Sequence, residues 1–162
     1  MPITLPIDSI RVVSAAAAVD TTAMDRPVRS DDLEMLGVDA AFLTASGFEG
    51  KLGSTTLLPE PGPVVVAVGL GDEPLTAALL RQAAGSLWQA ASKTPSLSST
   101  LAVVGAEELG AAVALQATIE GMLLASYRFD ELKGSPKDPA ALAEIVLVAP
   151  DGVDSDEVAA RA

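Results

Sequence analysis

A chain of 162 residues with 49% hydrophobic and 20% charged residues has room for one folded domain and lacks the composition of a disordered one. It contains neither cysteine nor histidine, which excludes disulfides, thiolate chemistry and imidazole, and leaves only carboxylates or main-chain oxygens to hold a metal. A formal net charge of −12, with ten basic residues of which no two are adjacent, argues against generic attraction to nucleic acid or anionic lipid.

Aromatic residues make up only 3% of the chain, so the core must be built from Ala, Val and Leu. Small side chains let helices approach a sheet closely, which suits an α/β layer structure. No apolar run approaches the roughly 18 residues of a membrane span. Met1 to Asp8 lacks the basic start of a signal peptide, although Ala15 to Ala18 superficially resembles a cleavage site. These features lead to the expectation of a cytoplasmic domain with no membrane partner.

Taken in order, Ile10 to Val13 and the alanines to Val19 read as a first strand, and Asp20 to Ser30, with Pro27, as a polar loop. Asp31 begins a helix, with Glu34 at capping-box spacing and Leu33, Leu36, Ala40 and Leu43 at helical intervals up to Gly47. Ser54 to Leu58 and Val64 to Val68 read as a hairpin. The second of these runs, Val-Val-Val-Ala-Val, suits a strand covered on both faces. Asp72 and Glu73 open a second helix, with Pro74 in its first turn, Leu75, Leu79, Ala83 and Leu87 along one side, and Pro95 beyond its end. Ser96 to Ser99 reads as a loop, Thr100 to Val104 as a strand, and Glu107 to Tyr127 as a third helix apolar on most of its surface and covered by more than one neighbour. Glu144 to Val148 is the last strand. The order β α β β α β α β predicts parallel crossovers and a mixed sheet. Ser155, Asp156 and Glu157 read as the start of a helix that stops about two turns in. Either this end frays or the chain is the front part of a longer protein cut inside a connecting helix; the second is the favoured expectation.

Candidate chemistry is sparse. Gly69-Leu-Gly71, between a strand and a helix, invites a phosphate-loop reading, but Pro74 stands where the third glycine belongs and Asp72 and Glu73 would repel a phosphate. The acids at Asp31, Asp32 and Glu34, at Asp130 and Glu131, and from Asp151 to Glu157 read as solvated charge. Asp154-x-Asp156 begins like a calcium loop without its glycine or terminal glutamate. No Ser-x-x-Lys and no Gly-x-Ser-x-Gly occurs. Tyr127-Arg-Phe129 alone hints at stacking on nucleic acid, with acids directly after it. The residues point to a non-catalytic α/β domain, and none is assigned as catalytic, cofactor-binding or metal-ligating.

Three segments together resemble a known family. Ile119-Glu-Gly-Met-Leu-Leu-Ala-Ser-Tyr-Arg-Phe-Asp-Glu-Leu-Lys133 resembles the E-G-x-x-L-x-x-Y-x-F-D-x-x-K signature of the N-terminal domain of the leucyl aminopeptidases. Gly47-Phe-Glu-Gly-Lys-Leu-Gly53 is similar to that family's G-F-x-G-K-x-G turn, and Val66-Ala-Val-Gly-Leu-Gly71 to its V-x-V-G-L-G junction. The resemblance spans roughly Ile10 to Val148. It implies a three-layer α/β/α fold with a mixed central sheet, related to the macro domains, over residues 1–150, with 151–162 beginning an interdomain helix. It further implies, as partner, a C-terminal catalytic domain that carries two divalent metal ions, zinc or manganese, and releases N-terminal residues from peptides. The homo-hexamer this family forms would have the N-terminal domains on its outside. The N-T-D-A-E-G-R hallmark of the catalytic part is absent from this sequence, so no catalytic or metal residue carries over. Tyr127 and Phe129 are expected to be buried, under the sheet or against the connecting helix, and Arg128, Asp130 and Lys133 to serve loop closure or domain docking. Some family members bind DNA, which the acidity here disfavours. The alternative is a free-standing macro-like module that binds ADP-ribose or a related nucleotide, suggested by the Gly69-Leu-Gly71 junction and fold analogy.

Overall fold

The computed structural model describes residues 9–14, 19–132 and 142–153, and side chains within these except at 9 and 128–132. Six strands form one mixed sheet: β1 (Ser9–Val13), β2 (Ala23–Val28), β3 (Thr55–Leu58), β4 (Val64–Gly69), β5 (Ser96–Ser99) and β6 (Glu144–Val148), in the spatial order β1-β6-β5-β2-β4-β3. Every neighbouring pair is parallel except the β3–β4 hairpin. Helices α2 (Ala77–Ala91), α3 (Leu101–Leu109) and α4 (Ala111–Leu132) cover one face, and a 3-10 turn (Leu33–Leu36) with α1 (Ala40–Ser46) covers the other. The result is the expected α/β/α arrangement.

Strand periodicity divides the core. Val66 and Val68 of β4 join Leu80, Ala84, Leu87, Trp88, Leu101 and Met122 on the three-helix side, while Val65 and Ala67 pack with Val28, Leu36, Phe48 and Leu58 on the other. The unbroken Val-Val-Val-Ala-Val run is thus a strand with both faces covered, as its composition predicts. Helix α4 lies against both α2 and α3, which accounts for its wide apolar surface. At its crossing with α2 the two backbones nearly touch: a Cβ on Gly121 would lie 2.3 Å from the Arg81 carbonyl oxygen.

Several expectations are corrected. Residues 20–30 are not a loop, because they contain β2, in the middle of the sheet. Thr22 O and Val28 O accept from Val64 N and Leu70 N at 2.9 Å, so even-numbered residues of β2 turn their main chain towards β4. Pro27 therefore faces β5, whose pairing with β2 ends at Met24–Ser98, and no partner is left wanting its missing N–H. The single helix expected from Asp31 to Gly47 is broken at Gly37, whose φ of 67° stops the 3-10 turn. Asp39 starts α1 afresh by accepting from Ala41 N at 2.9 Å, and the capping bond expected near Asp31 is not made at the 3-10 turn. Helix α2 begins after Thr76, whose hydroxyl accepts from Leu79 N at 3.2 Å, so Pro74 precedes the helix instead of sitting in its first turn. Finally, the expected loop 96–99 is β5, the expected strand 100–104 opens α3, and the long third helix is divided into α3 and α4 at Gly110.

Candidate functional site

The carboxyl ends of parallel strands are where an α/β sheet usually receives ligands, and here two glycine-rich segments meet at that edge. The loop Gly47–Gly53 lies across the end of β4. Gly53 N donates to Gly69 O at 2.9 Å, Gly69 N to Ser54 O at 2.8 Å and Gly71 N to Gly50 O at 2.9 Å. Leu70 N donates to Val28 O at 2.9 Å, and the Ser30 hydroxyl to Gly50 O at 3.0 Å. A Cβ on Gly69 would lie 2.1 Å from Lys51 O and 2.6 Å from the Gly50 carbonyl carbon, so only glycine permits this crossing. The three N–H groups of Gly69, Leu70 and Gly71, which a phosphate loop would turn on its ligand, are all spent inside the fold.

Beside this crossing opens a groove of about 360 Å³. Leu52, Leu70 and Leu79 form its apolar part and Glu49, Lys51, Asp72 and Glu73 its charged part. Lys51 pairs with Glu49, and the pairing lowers the carboxyl pKa and raises that of the ammonium. The adjoining loop is tied down by α3. Glu108 accepts from Leu75 N at 2.7 Å and pairs with Arg29, which in turn donates to Glu73 O at 2.6 Å. Excess negative charge and occupied donors make the groove a poor host for a phosphate.

A second place lies between β2 and β5. The chain leaves β2 for the face carrying the 3-10 turn and leaves β5 for the face carrying α3, so the two strands diverge at a topological switch point. Asp25 fills it. Its buried carboxylate accepts from Ser99 Oγ at 2.6 Å, and from Thr100 N and Thr100 Oγ1 at 2.9 Å each. Burial pushes its pKa above 3.8, against hydrogen bonds that pull it down. Sequence reasoning passed over Asp25, Arg29 and Glu108. The available signal was Ser99-Thr100 directly before Leu101, a helix-start pattern that leaves the preceding residues to form a strand.

The long signature segment is explained mostly by packing. Glu120 accepts from Arg81 of α2 at 2.5 Å and from Gln116 at 2.7 Å, bonds that lower its pKa, with Gln116 the larger cause. Gly121 permits the helix crossing. Tyr127, expected to be buried, is 46% exposed on the outer side of α4 with Val113 and Leu124. The side chains of Arg128, Phe129 and Asp130, and all of Lys133, lie outside the described residues, as does the expected helix after Ser155. Among the described residues, no three acids come together as metal ligands, and no helix is long and apolar enough to cross a membrane.

Residues 35–136 match the Cytosol aminopeptidase family, N-terminal domain. A probable cytosol aminopeptidase of Rhodococcus jostii is 36% identical over 130 residues, which cover 74% of this chain and 24% of that protein. One from Streptomyces coelicolor is 38% identical over 108 residues, 61% of this chain and 20% of that protein. The chain thus spans about a quarter of the length of such relatives. Among solved structures, the bottromycin maturation enzyme BotP superposes with a TM-score of 0.66 at 26% identity, over 87% of this chain and 29% of that one. A mutant tomato leucine aminopeptidase gives 0.72 at 16% identity, over 99% and 36%. A Trypanosoma brucei macrodomain in complex with ADP gives 0.60 at 13%, over 96% and 68%; these last two likenesses speak for the fold alone. The three motif segments, the interlocking of 47–53 with 66–71 in the structure and the match over 35–136 agree: this chain belongs to the cytosol aminopeptidase family and corresponds to its N-terminal domain.

Proposed function

We propose that this chain is the non-catalytic, architectural N-terminal domain of a cytoplasmic leucyl aminopeptidase, whose peptide hydrolysis belongs to a part of the protein outside this chain. The observation that carries the reading is the use made of the family's motif residues. Gly50, Gly53, Gly69 and Gly71 join a loop to a strand, and Glu120 and Gly121 join α4 to α2. Glycines of the motifs and Glu120 are thus occupied in joining elements of the fold, while Glu49, Lys51, Leu52, Leu70 and Gly71 of the same motifs also line the groove. The two zinc or manganese ions of such an enzyme find no fitting ligand cluster among the described residues, so no step of the reaction is assigned here. The proposed partners are the enzyme's own catalytic domain and further copies in a hexamer. The names of the relatives support the cytoplasmic placement.

The chain is expected to leave leucine p-nitroanilide intact with Mn²⁺ or Zn²⁺ added; steady turnover by the isolated chain overturns the reading. The likeness to a macrodomain in complex with ADP is what favours a second reading, in which the chain binds ADP-ribose or a related nucleotide. The spent N–H groups and the acids of the groove oppose it. No rise in melting temperature at millimolar ADP-ribose is expected, and a saturable rise would favour that second reading.

A further inference from the structure

Among the described residues the sheet ends in two edge strands, β1 and β3, and they are built differently. β1 carries Arg11, paired with Glu144. β3 carries no charge, and the run around it, residues 52–59, reads Leu-Gly-Ser-Thr-Thr-Leu-Leu-Pro. A charge on an edge strand discourages a further strand from adding to it, and an uncharged edge is a template for one. Register fixes what β3 offers. Even-numbered residues of β4 turn their main chain to β2, since Val64 N and Leu70 N donate to Thr22 O and Val28 O. Val65 and Ala67 therefore bond across to their partners Leu58 and Thr56. The N–H and C=O groups of Thr55 and Leu57 point the other way, where no described strand pairs with them. Pro59 and Pro61, which lack an N–H, end the strand. Leu57, opposite Val66, stands on the three-helix face and is 55% exposed; Val64, two residues along β4 on that face, is 38% exposed.

We propose that β3 is the docking edge for a second copy of this chain, paired antiparallel about a two-fold axis at Thr56. Thr55 then stands opposite Leu57 of the second copy, and each such pair exchanges two N–H···O bonds, four in all. Thr56 stands opposite its own copy as the close, non-hydrogen-bonded pair. Charge singles out a second copy as the occupant. Lys51 before the strand is paired with Glu49, and Glu60 after it with Arg26, so the edge is a neutral strip on a chain of net charge −12. Two copies repel one another over most of their surface and can meet here. Antiparallel pairing also sets the Lys51 end of each copy against the Glu60 end of the other. A two-fold contact closes on itself, so association stops at the dimer. The contact concerns this chain alone and stands whether or not the proposed hexamer forms.

The test is sedimentation equilibrium up to about 1 mM, with the unaltered chain set against Leu57→Pro. The Leu57 N–H points outward, so proline there removes an edge donor and leaves the β4 ladder whole. A weak dimer is expected, with a dissociation constant on the order of 10⁻⁴ M, because so short an edge buries less than a standard interface. Leu57→Pro is expected to raise that constant about tenfold or more. An unaltered chain that stays monomeric throughout leaves the edge to a strand of some other protein and overturns the proposal, as does a variant that dimerises equally. Should Leu57→Pro not fold, the unaltered dimer still decides. In a mixture of labelled and unlabelled copies, a nuclear Overhauser effect between the Hα atoms of the two Thr56 residues is expected, and its absence overturns the pairing.

Discussion

Two places in this domain bring backbones closer than side chains permit, and they do so for different reasons. At the sheet edge, the loop 47–53 lies on the end of β4, with Gly69 under the Lys51 carbonyl. At the helix crossing, Gly121 of α4 lies against the Arg81 carbonyl of α2. The first contact is a hydrogen-bonded joint, with Gly53 N, Gly69 N and Gly71 N each donating across it. The second is an apolar contact between helices whose own bonds are internal, sealed at its rim by Arg81 and Glu120. Glycine therefore serves pairing in one case and distance in the other. Pairing is the less forgiving demand, because a loop pushed away loses several bonds together, whereas a helix pushed away loses contact gradually.

The largest effect is accordingly expected at the edge. Gly69→Ala places a methyl 2.1 Å from Lys51 O, and no flexible side chain can yield to admit it. A loss of about 3 kcal/mol or more is expected, or roughly 6–12 °C in melting temperature. Gly121→Ala, with the Arg81 carbonyl at 2.3 Å, should cost about 2 kcal/mol as α4 moves outward. Urea midpoints of the two variants check the order. A helix-crossing variant less stable than the edge variant would break the distinction between pairing and distance.

The same contrast explains what was legible from residues alone. The motif strings, the β3–β4 hairpin, the doubly covered strand β4 and the last strand β6 are local patterns that tertiary structure reinforces. The misread stretches depend on distant partners. Pro27 is tolerated in a central strand only because β5 has already parted from β2 at that level. Thr100-Leu-Ala-Val-Val has strand-like composition but becomes helix where a carboxylate 75 positions away receives its first N–H. Asp25, the one charged residue buried among the described residues, lies in a stretch that reads as a polar loop. Tyr127 lies 46% exposed on α4 instead of under the sheet, and the connecting helix expected as its other cover lies outside the described residues.

Asp25→Asn tests that distant partner with an intermediate effect. The amide keeps one oxygen acceptor but offers an NH₂ to hydroxyl and amide donors, so a loss of about 1–2 kcal/mol near pH 7 is expected. The pH dependence has a definite sign. Burial raises the native pKa of Asp25 above the 3.8 of an exposed aspartate, so the folded state takes up its proton before the unfolded chain does. Its contribution therefore becomes more favourable as pH falls from above the native pKa towards 3.8. Glu60 and Glu120, whose pKa values are lowered by Arg26 and by Gln116 with Arg81, act oppositely: their contributions are lost as pH falls from 4.5 through the lowered values. Both proteins share those terms. The stability gap between the unaltered chain and Asp25→Asn should then be wider at about pH 4 than at about pH 7. A gap independent of pH would show that the carboxyl titrates alike in both states.

The smallest change sharpens the helix crossing by working from its other side. Gly85 of α2 faces Gly121, but a Cβ there would meet the Gly121 carbonyl at 3.4 Å and Ala125 Cβ at 3.5 Å, which is near ordinary contact. Two glycines at one crossing thus have unequal roles: Gly121 sets the distance between the helices, and Gly85 has space to fill. Glycine inside a helix costs up to about 1 kcal/mol relative to alanine. Gly85→Ala is therefore expected to stabilise the domain by about 0.5–1 kcal/mol, or roughly 1–4 °C, opposite in sign to Gly121→Ala. Destabilisation by both would mean that the crossing is tight from either helix, and that α2 and α4 depend equally on the absence of a side chain.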